Sequence, residues 1–152
     1  MKKVQLTKEG FDLLTAELKD LMEAKQPIVV EKLQKARAMG DLAENNAYNA
    51  AREELALVEG RIQELQEILK YAEIYRTNGD KNTIEIGAHV TIEIENNQDE
   101  FHIVGEYEAD PMNKKLSHTS PIGMALMGKK VGESVTIDIP SGRIVYKIVE
   151  IK

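Results

Sequence analysis

The chain has 152 residues, 42% of them hydrophobic and 30% charged, with a formal net charge of −6 and no cysteine. This balance excludes an intrinsically disordered chain, a disulfide framework and a Cys-type zinc site. It also argues against a protein built to grip bare duplex nucleic acid, and no apolar run reaches the ~18 residues of a membrane span, so a cytoplasmic protein is expected.

Composition changes abruptly near residue 78: Ala, Leu, Glu, Lys and Gln dominate before it, and β-branched alternation follows it. Thr77-Asn78-Gly79-Asp80-Lys81-Asn82 is rich in turn formers, and residues 78–82 read as a linker between an N-terminal part, 1–77, and a C-terminal part, 83–152. Thr7 is a natural N-cap for the first helix, whose apolar residues recur at Phe11, Leu14, Leu18 and Leu21. The pattern resumes at Val29, Leu33 and Ala36, eight residues after Leu21 instead of seven, with Pro27 in the gap. A proline there removes a backbone donor and is expected to bend or split the helix.

The return helix carries Tyr48, Ala51, Leu55, Val58, Ile62, Leu65, Leu69 and Ala72 at spacings of 3, 4, 3, 4, 3, 4 and 3, an uninterrupted coiled-coil seam. The short connection Met39-Gly40-Asp41-Leu42 forces the two arms to fold back on one another. Roughly 30 residues per arm at ~1.5 Å rise gives a rod of about 45 Å. After the linker, Val90, Ile92 and Ile94, and later Val135, Ile137 and Ile139, alternate with polar residues and read as strands. Pro140-Ser141-Gly142 reads as a hairpin turn, and Ser120–Gly128 contains one short helix that starts near Pro121. The fold class is α+β: a long antiparallel helical hairpin followed by a small β-rich domain.

Catalytic candidates are few. His89, His102 and His118 share no ligand spacing, and the glycines form no phosphate loop, so an enzyme with its own pocket is not expected. The chemistry concentrates at the hairpin tip, Gly40-Asp41-Leu42-Ala43-Glu44-Asn45-Asn46-Ala47-Tyr48. Asp41 and Glu44, three residues apart at a helix start, are placed to converge. The same spacing suits a capping box in which Asp41 caps the second helix and Glu44 bonds back to its amide. Around them Lys32, Lys35, Arg37 and Arg52 outnumber the two carboxylates and give a net +2 patch, unless these cations are simply solvated helix faces.

Two stretches carry a resemblance. Gly40, Asp41, Leu42, Glu44, Asn45, Tyr48, Ala50, Ala51, Arg52 and Glu53 match one motif, and Ser120, Pro121, Ile122, Ala125, Leu126, Gly128, Lys129 and Gly132 match a second. Both are similar to motifs of the Gre family of bacterial transcript-cleavage factors, and the chain resembles the GreA branch of that family along its whole length. The resemblance implies a coiled-coil hairpin and an FKBP-like C-terminal domain that docks on RNA polymerase, with Ser120, Pro121 and Ile122 in the docking region. It implies that Asp41 and Glu44 act as the catalytic tip inside the polymerase active centre, sharing a Mg²⁺ with the polymerase. Gly40, Leu42, Asn45 and Tyr48 would support the tip, and Lys35, Arg37 and Arg52 would lie near the 3′ end of the nascent RNA. On that reading the protein is a monomer, has no cofactor of its own, and makes the polymerase cut backtracked transcripts. The family usually carries Ala-Glu where this chain has Asn46-Ala47, so a non-cleaving relative that inhibits or modulates polymerase is the alternative.

Overall fold

The structure, a computed structural model, describes residues 3–41, 43–76 and 82–152. Leu42 and Thr77–Lys81, which include a tip residue and most of the expected linker, lie outside the described residues. The chain divides into two compact units, one of Met1–Gly10 with Ala72–Lys152 and the other of Phe11–Tyr71.

The helical unit contains most of α1 (Lys8–Asp20), a π-helical turn at Leu21–Lys25, α2 (Gln26–Ala38) and α3 (Asn46–Lys70). The π-turn explains the eight-residue step in the apolar pattern. It takes up one extra residue, so Leu21 and Val29 both stay buried although they break the regular spacing. Its closing bond runs from the N–H of Gln26 to the carbonyl of Leu21, and Pro27, which has no N–H to donate, follows directly after this widened turn. Arg61 on α3 forks onto Glu17 on α1 with bonds of 2.8 and 3.0 Å. The seam of α3 differs from the heptad reading at its C-terminal end. Ala51, Val58, Ile62, Leu65 and Ile68 are buried, Leu69 is only half-buried, and Ala72 is not helical. Ile68 lies ~100° from Leu69 around the helix, so at this end the covered face has turned away from the heptad stripe.

Ala72 belongs instead to β2 (Ala72–Ile74), which pairs in parallel with β1 (Val4–Leu6). These two strands, which the sequence reading counted with the helices, belong to the globular unit, and that is why its boundary falls at residues 10 and 72. The rest of this unit is a five-stranded sheet in the order β5-β4-β3-β7-β6, formed by β3 (His89–Ile94), β4 (Asn97–Val104), β5 (Lys115–Ser117), β6 (Ser134–Ile139) and β7 (Gly142–Ile151). β4 and β5 pair in parallel and the remaining neighbours antiparallel. One short helix, α4 (Pro121–Leu126), contributes Leu126 to the core beside Val90, Ile92, Ile103, Val135 and Ile148. Ile148 pairs with Ile92 and Ile151 with Val90, so β7 carries one residue more than β3 across this stretch. That bulge lets Ile148 and Ile151, three apart, both face the core.

His89 and His102 are cross-strand partners whose rings stack at 4.1 Å with 12° between their planes. Burial lowers the pKa of His102, and the charges of His89 and Lys115 lower it further, against the opposing pull of Glu9 and Glu108. Glu100 lies 3.9 Å from the Nδ1 of His89. The unfolded chain therefore takes up this proton more readily than the folded one. Stability contributed here is intact at neutral pH, declines as pH falls through the ordinary histidine value of about 6.5, and levels off below the folded value. Thermal melts at stepped pH test this: between pH 7 and 5 the His102→Gln variant is expected to lose less Tm than wild type, and parallel slopes would refute it.

Candidate functional site

The tip is built by the way α2 stops. Met39 closes the last turn through its N–H to the carbonyl of Ala36 at 3.2 Å, and Gly40 follows at φ 76 with its N–H on Arg37 at 3.1 Å. A Cβ at Gly40 would meet nothing, so glycine is favoured there by the backbone conformation alone. Asp41 also adopts a positive φ, 49, in the left-handed region that Asp and Asn tolerate better than other side chains. The N–H of Glu44 then bonds the carbonyl of Asp41 at 3.1 Å, which places both acidic residues on one turn.

Asp41 is not the cap of α3. That role falls to Asn45, whose Oδ1 accepts from the N–H of Tyr48 at 3.0 Å. The expected Asp41–Glu44 capping box is corrected by two features: the left-handed conformation of Asp41, and a helix that begins only at Asn46. Asn45 does more than cap. Its Nδ2 donates to the carbonyl of Ala36 at 2.7 Å and to that of Gly40 at 3.3 Å, so one amide joins the end of α2 to the start of α3. Asn45→Ala is expected to cost about 1–2 kcal/mol. Asn45→Ser keeps the cap acceptor but is too short to reach Ala36, and should fall between Ala and wild type in urea unfolding. A serine variant as stable as wild type would show that the amide staple contributes nothing.

The carboxylates of Asp41 and Glu44 are exposed, and neither makes a hydrogen bond or ion pair among the described residues. Tyr48 is half-buried on the first turn of α3. The basic residues do not form one patch. Lys32 lies 3.7 Å from Glu54 and Lys35 lies 3.1 Å from Glu31, two carboxylates that flank the tip segment in the sequence. Both lysines face a shallow groove of about 400 Å³ lined by Ala36, Met39, Ala47 and Ala51. Arg37 and Arg52 each follow a buried alanine, Ala36 or Ala51, and at ~100° per residue they turn to the opposite side of the hairpin. Both are exposed and without an ion-pair partner among the described residues.

The second motif forms a tightly bonded loop. The hydroxyl of Ser120 accepts the N–H of Gly123 at 3.0 Å and donates to the carbonyl of Ser117 at 2.7 Å. A Cβ at Gly123 would lie 2.0 Å from that same carbonyl oxygen. Ile122 packs against the core, so of Ser120, Pro121 and Ile122 only Pro121 is fully exposed. Ser117, the one buried polar residue among those described, escaped the sequence reading, because a serine in a strand gives no signal of the loop bonded to it.

The family model described as "Transcription elongation factor, N-terminal" matches residues 4–74, and that described as "Transcription elongation factor, GreA/GreB, C-term" matches residues 79–152. The transcription elongation factor GreA of Caldanaerobacter subterraneus subsp. tengcongensis is 46% identical over 154 residues, covering 99% of this chain and 98% of that one. The chain belongs to the GreA/GreB family of transcription elongation factors. GreA of Macrococcus caseolyticus is 44% identical, covering 99% of this chain and 97% of its own. Among solved structures, the GreA factor homolog 1 of Thermus thermophilus is 30% identical, with 99% of both chains covered and a TM-score of 0.47. Both motifs read from the sequence fall within the matched GreA/GreB segments.

Proposed function

We propose that this chain docks on RNA polymerase through its globular unit, enters the secondary channel with its hairpin, and stimulates Mg²⁺-dependent cleavage of backtracked RNA. The observation that supports this reading is the tip. Two exposed carboxylates without partners among the described residues share one turn, and Asn45 locks that turn between two helices.

Magnesium takes oxygen ligands, commonly one or two carboxylates completed by phosphate oxygens and water. Asp41 and Glu44 supply that donor set, and no neighbouring cation competes for it among the described residues. A second Mg²⁺ held jointly with the polymerase would stabilise the attacking and leaving oxygens of the cleaved phosphodiester. The chain's own part is to present the two carboxylates in fixed relation and to orient a water through their free oxygens. Arg37 and Arg52 are available to contact phosphates of the extruded 3′ end, whereas Lys35 is engaged with Glu31. Pro121 is the exposed member of the docking loop. The polymerase remains the enzyme, and the protein acts as an accessory factor that rescues arrested complexes.

A second reading keeps docking and loses cleavage. It rests on Asn46-Ala47, where Ala47 gives the groove a methyl group at the position the family usually fills with an acid. The deciding experiment uses backtracked elongation complexes with 3′-labelled RNA and Mg²⁺. Release of short labelled fragments supports the cleavage reading, and polymerase binding without release supports the inhibitor.

A further inference from the structure

The cap of α1 is incomplete within its own sequence. The hydroxyl oxygen of Thr7 accepts the N–H of Gly10 at 3.0 Å, which is half of a capping box. In the reciprocal half, the third helical residue is Glu or Gln and reaches back to the N–H of the cap. Here that third residue is Gly10, which has no side chain. The N–H of Thr7 is nevertheless bonded at 2.8 Å, to the carboxylate of Glu108, 101 residues away. The hydroxyl of Thr7 donates to the other oxygen of the same carboxylate. The N–H of Gly105 adds a bond to Glu108 at 2.9 Å.

Two glycines make room for this arrangement. A Cβ at Gly10 would lie 1.8 Å from the Oε1 of Glu108, and one at Gly105 would lie 2.1 Å from the carbonyl oxygen of Gln5. At Gly105 the neighbour is backbone and leaves no room for a side chain, whereas at Gly10 a side chain would displace the Glu108 carboxylate itself. Gly10 therefore does two things at once: it omits the acid that would complete the cap locally, and it opens the space through which a distant acid completes it. The helix dipole favours a carboxylate at this end. Met1–Gly10 belongs to the globular unit, and α1 continues from there into the helical unit at Phe11.

We propose that Glu108 is a positioning residue: it completes the capping box of α1 from a distant part of the chain and so clamps the root of the helix that leads into the hairpin. The consequence for cleavage rests on the function proposed above, but the clamp itself can be read without polymerase. A local cap and a clamp are separated by moving the acid. Glu108→Ala removes both, whereas Gly10→Glu combined with Glu108→Ala restores an ordinary capping box without the long-range bond.

Three readouts are needed: amide exchange at Thr7, the distance distribution between spin labels at Glu9→Cys and Ser141→Cys, both in the globular unit, and stimulated RNA cleavage. The chain has no cysteine, so the two labels attach at the introduced sites alone. Glu108→Ala is expected to lose at least tenfold of its protection at Thr7, to broaden the distance distribution, and to raise the factor concentration needed for half-maximal cleavage several-fold. The double variant is expected to recover protection at Thr7 and to recover neither of the other two. A distribution as narrow as wild type in Glu108→Ala, or narrowed again in the double variant, overturns the proposal. If wild type fails to stimulate cleavage, the functional reading falls, while exchange and distances still decide the clamp.

Discussion

Asp41→Asn and Glu44→Gln are each expected to reduce stimulated RNA cleavage at least tenfold, a loss of at least ~1.4 kcal/mol of transition-state stabilisation, with polymerase binding unchanged. Asn and Gln are the informative substitutions because they remove charge and keep shape. Asp41 adopts a φ of 49, a conformation that Asn tolerates and Ala does not. Asp41→Ala would therefore add a backbone penalty of about 1 kcal/mol, which could loosen the turn and imitate a chemical defect. Glu44 carries no such complication, since its side chain is exposed and has no partner among the described residues. Both amide variants should melt with wild type, because exposed substitutions away from caps and cores stay within roughly 0.5 kcal/mol. Raised Mg²⁺ should return part of the lost activity if the carboxylates serve to hold the ion. Full cleavage by the doubly substituted Asp41→Asn, Glu44→Gln protein would remove the tip from the mechanism altogether.

The tip also shows where sequence reasoning reaches its limit. Residue identity and spacing placed Asp41 and Glu44 at the end of a hairpin, and the structure puts them there. The same spacing suggested that Asp41 was the cap, because Asp-x-x-Glu and a true capping box are indistinguishable as strings. What separates them is backbone conformation: a positive φ at Gly40 and again at Asp41 delays α3 until Asn46 and leaves Asn45 to cap it. The amide of Asn45, bonded to Ala36 nine residues back, has no local pattern from which it could be read. The net +2 patch failed for a related reason. Charges were counted along the chain, whereas Glu31 and Glu54 pair with Lys35 and Lys32 along and across helices.

The globular unit was legible where alternation was strong, in β3, β6 and the short helix after Ser120. It was illegible where pairing is long-range. β1 and β2 are three residues each and 68 positions apart in register, Val4 against Ala72, and neither carries enough alternation to announce a strand. Pro27 suggests a bend or split, whereas the run stays helical from Lys8 to Ala38, and the π-turn before the proline shows in the sequence only as an eight-residue step in the apolar pattern.

The C-terminal end of α3 offers the sharpest comparison of heptad and helix, and Leu65→Ala sets its scale. Leu65 is 0% exposed, so its loss removes a whole side chain from a filled site. Transfer and cavity terms together put the cost at about 2–5 kcal/mol, a large part of the stability of a unit this small. Leu57, on the same helix and 76% exposed, is the control, and its alanine variant should change stability by no more than about 0.5 kcal/mol. Between these limits lie Ile68 and Leu69. An uninterrupted heptad seam makes Leu69 the contact residue, whereas the side chain that is buried is Ile68, 6% exposed and ~100° away around the helix. Ile68→Ala is therefore expected to lower the urea midpoint more than Leu69→Ala, although the two remove nearly equal volumes. The reverse order would mean that the stripe stays on the heptad to the end of the helix.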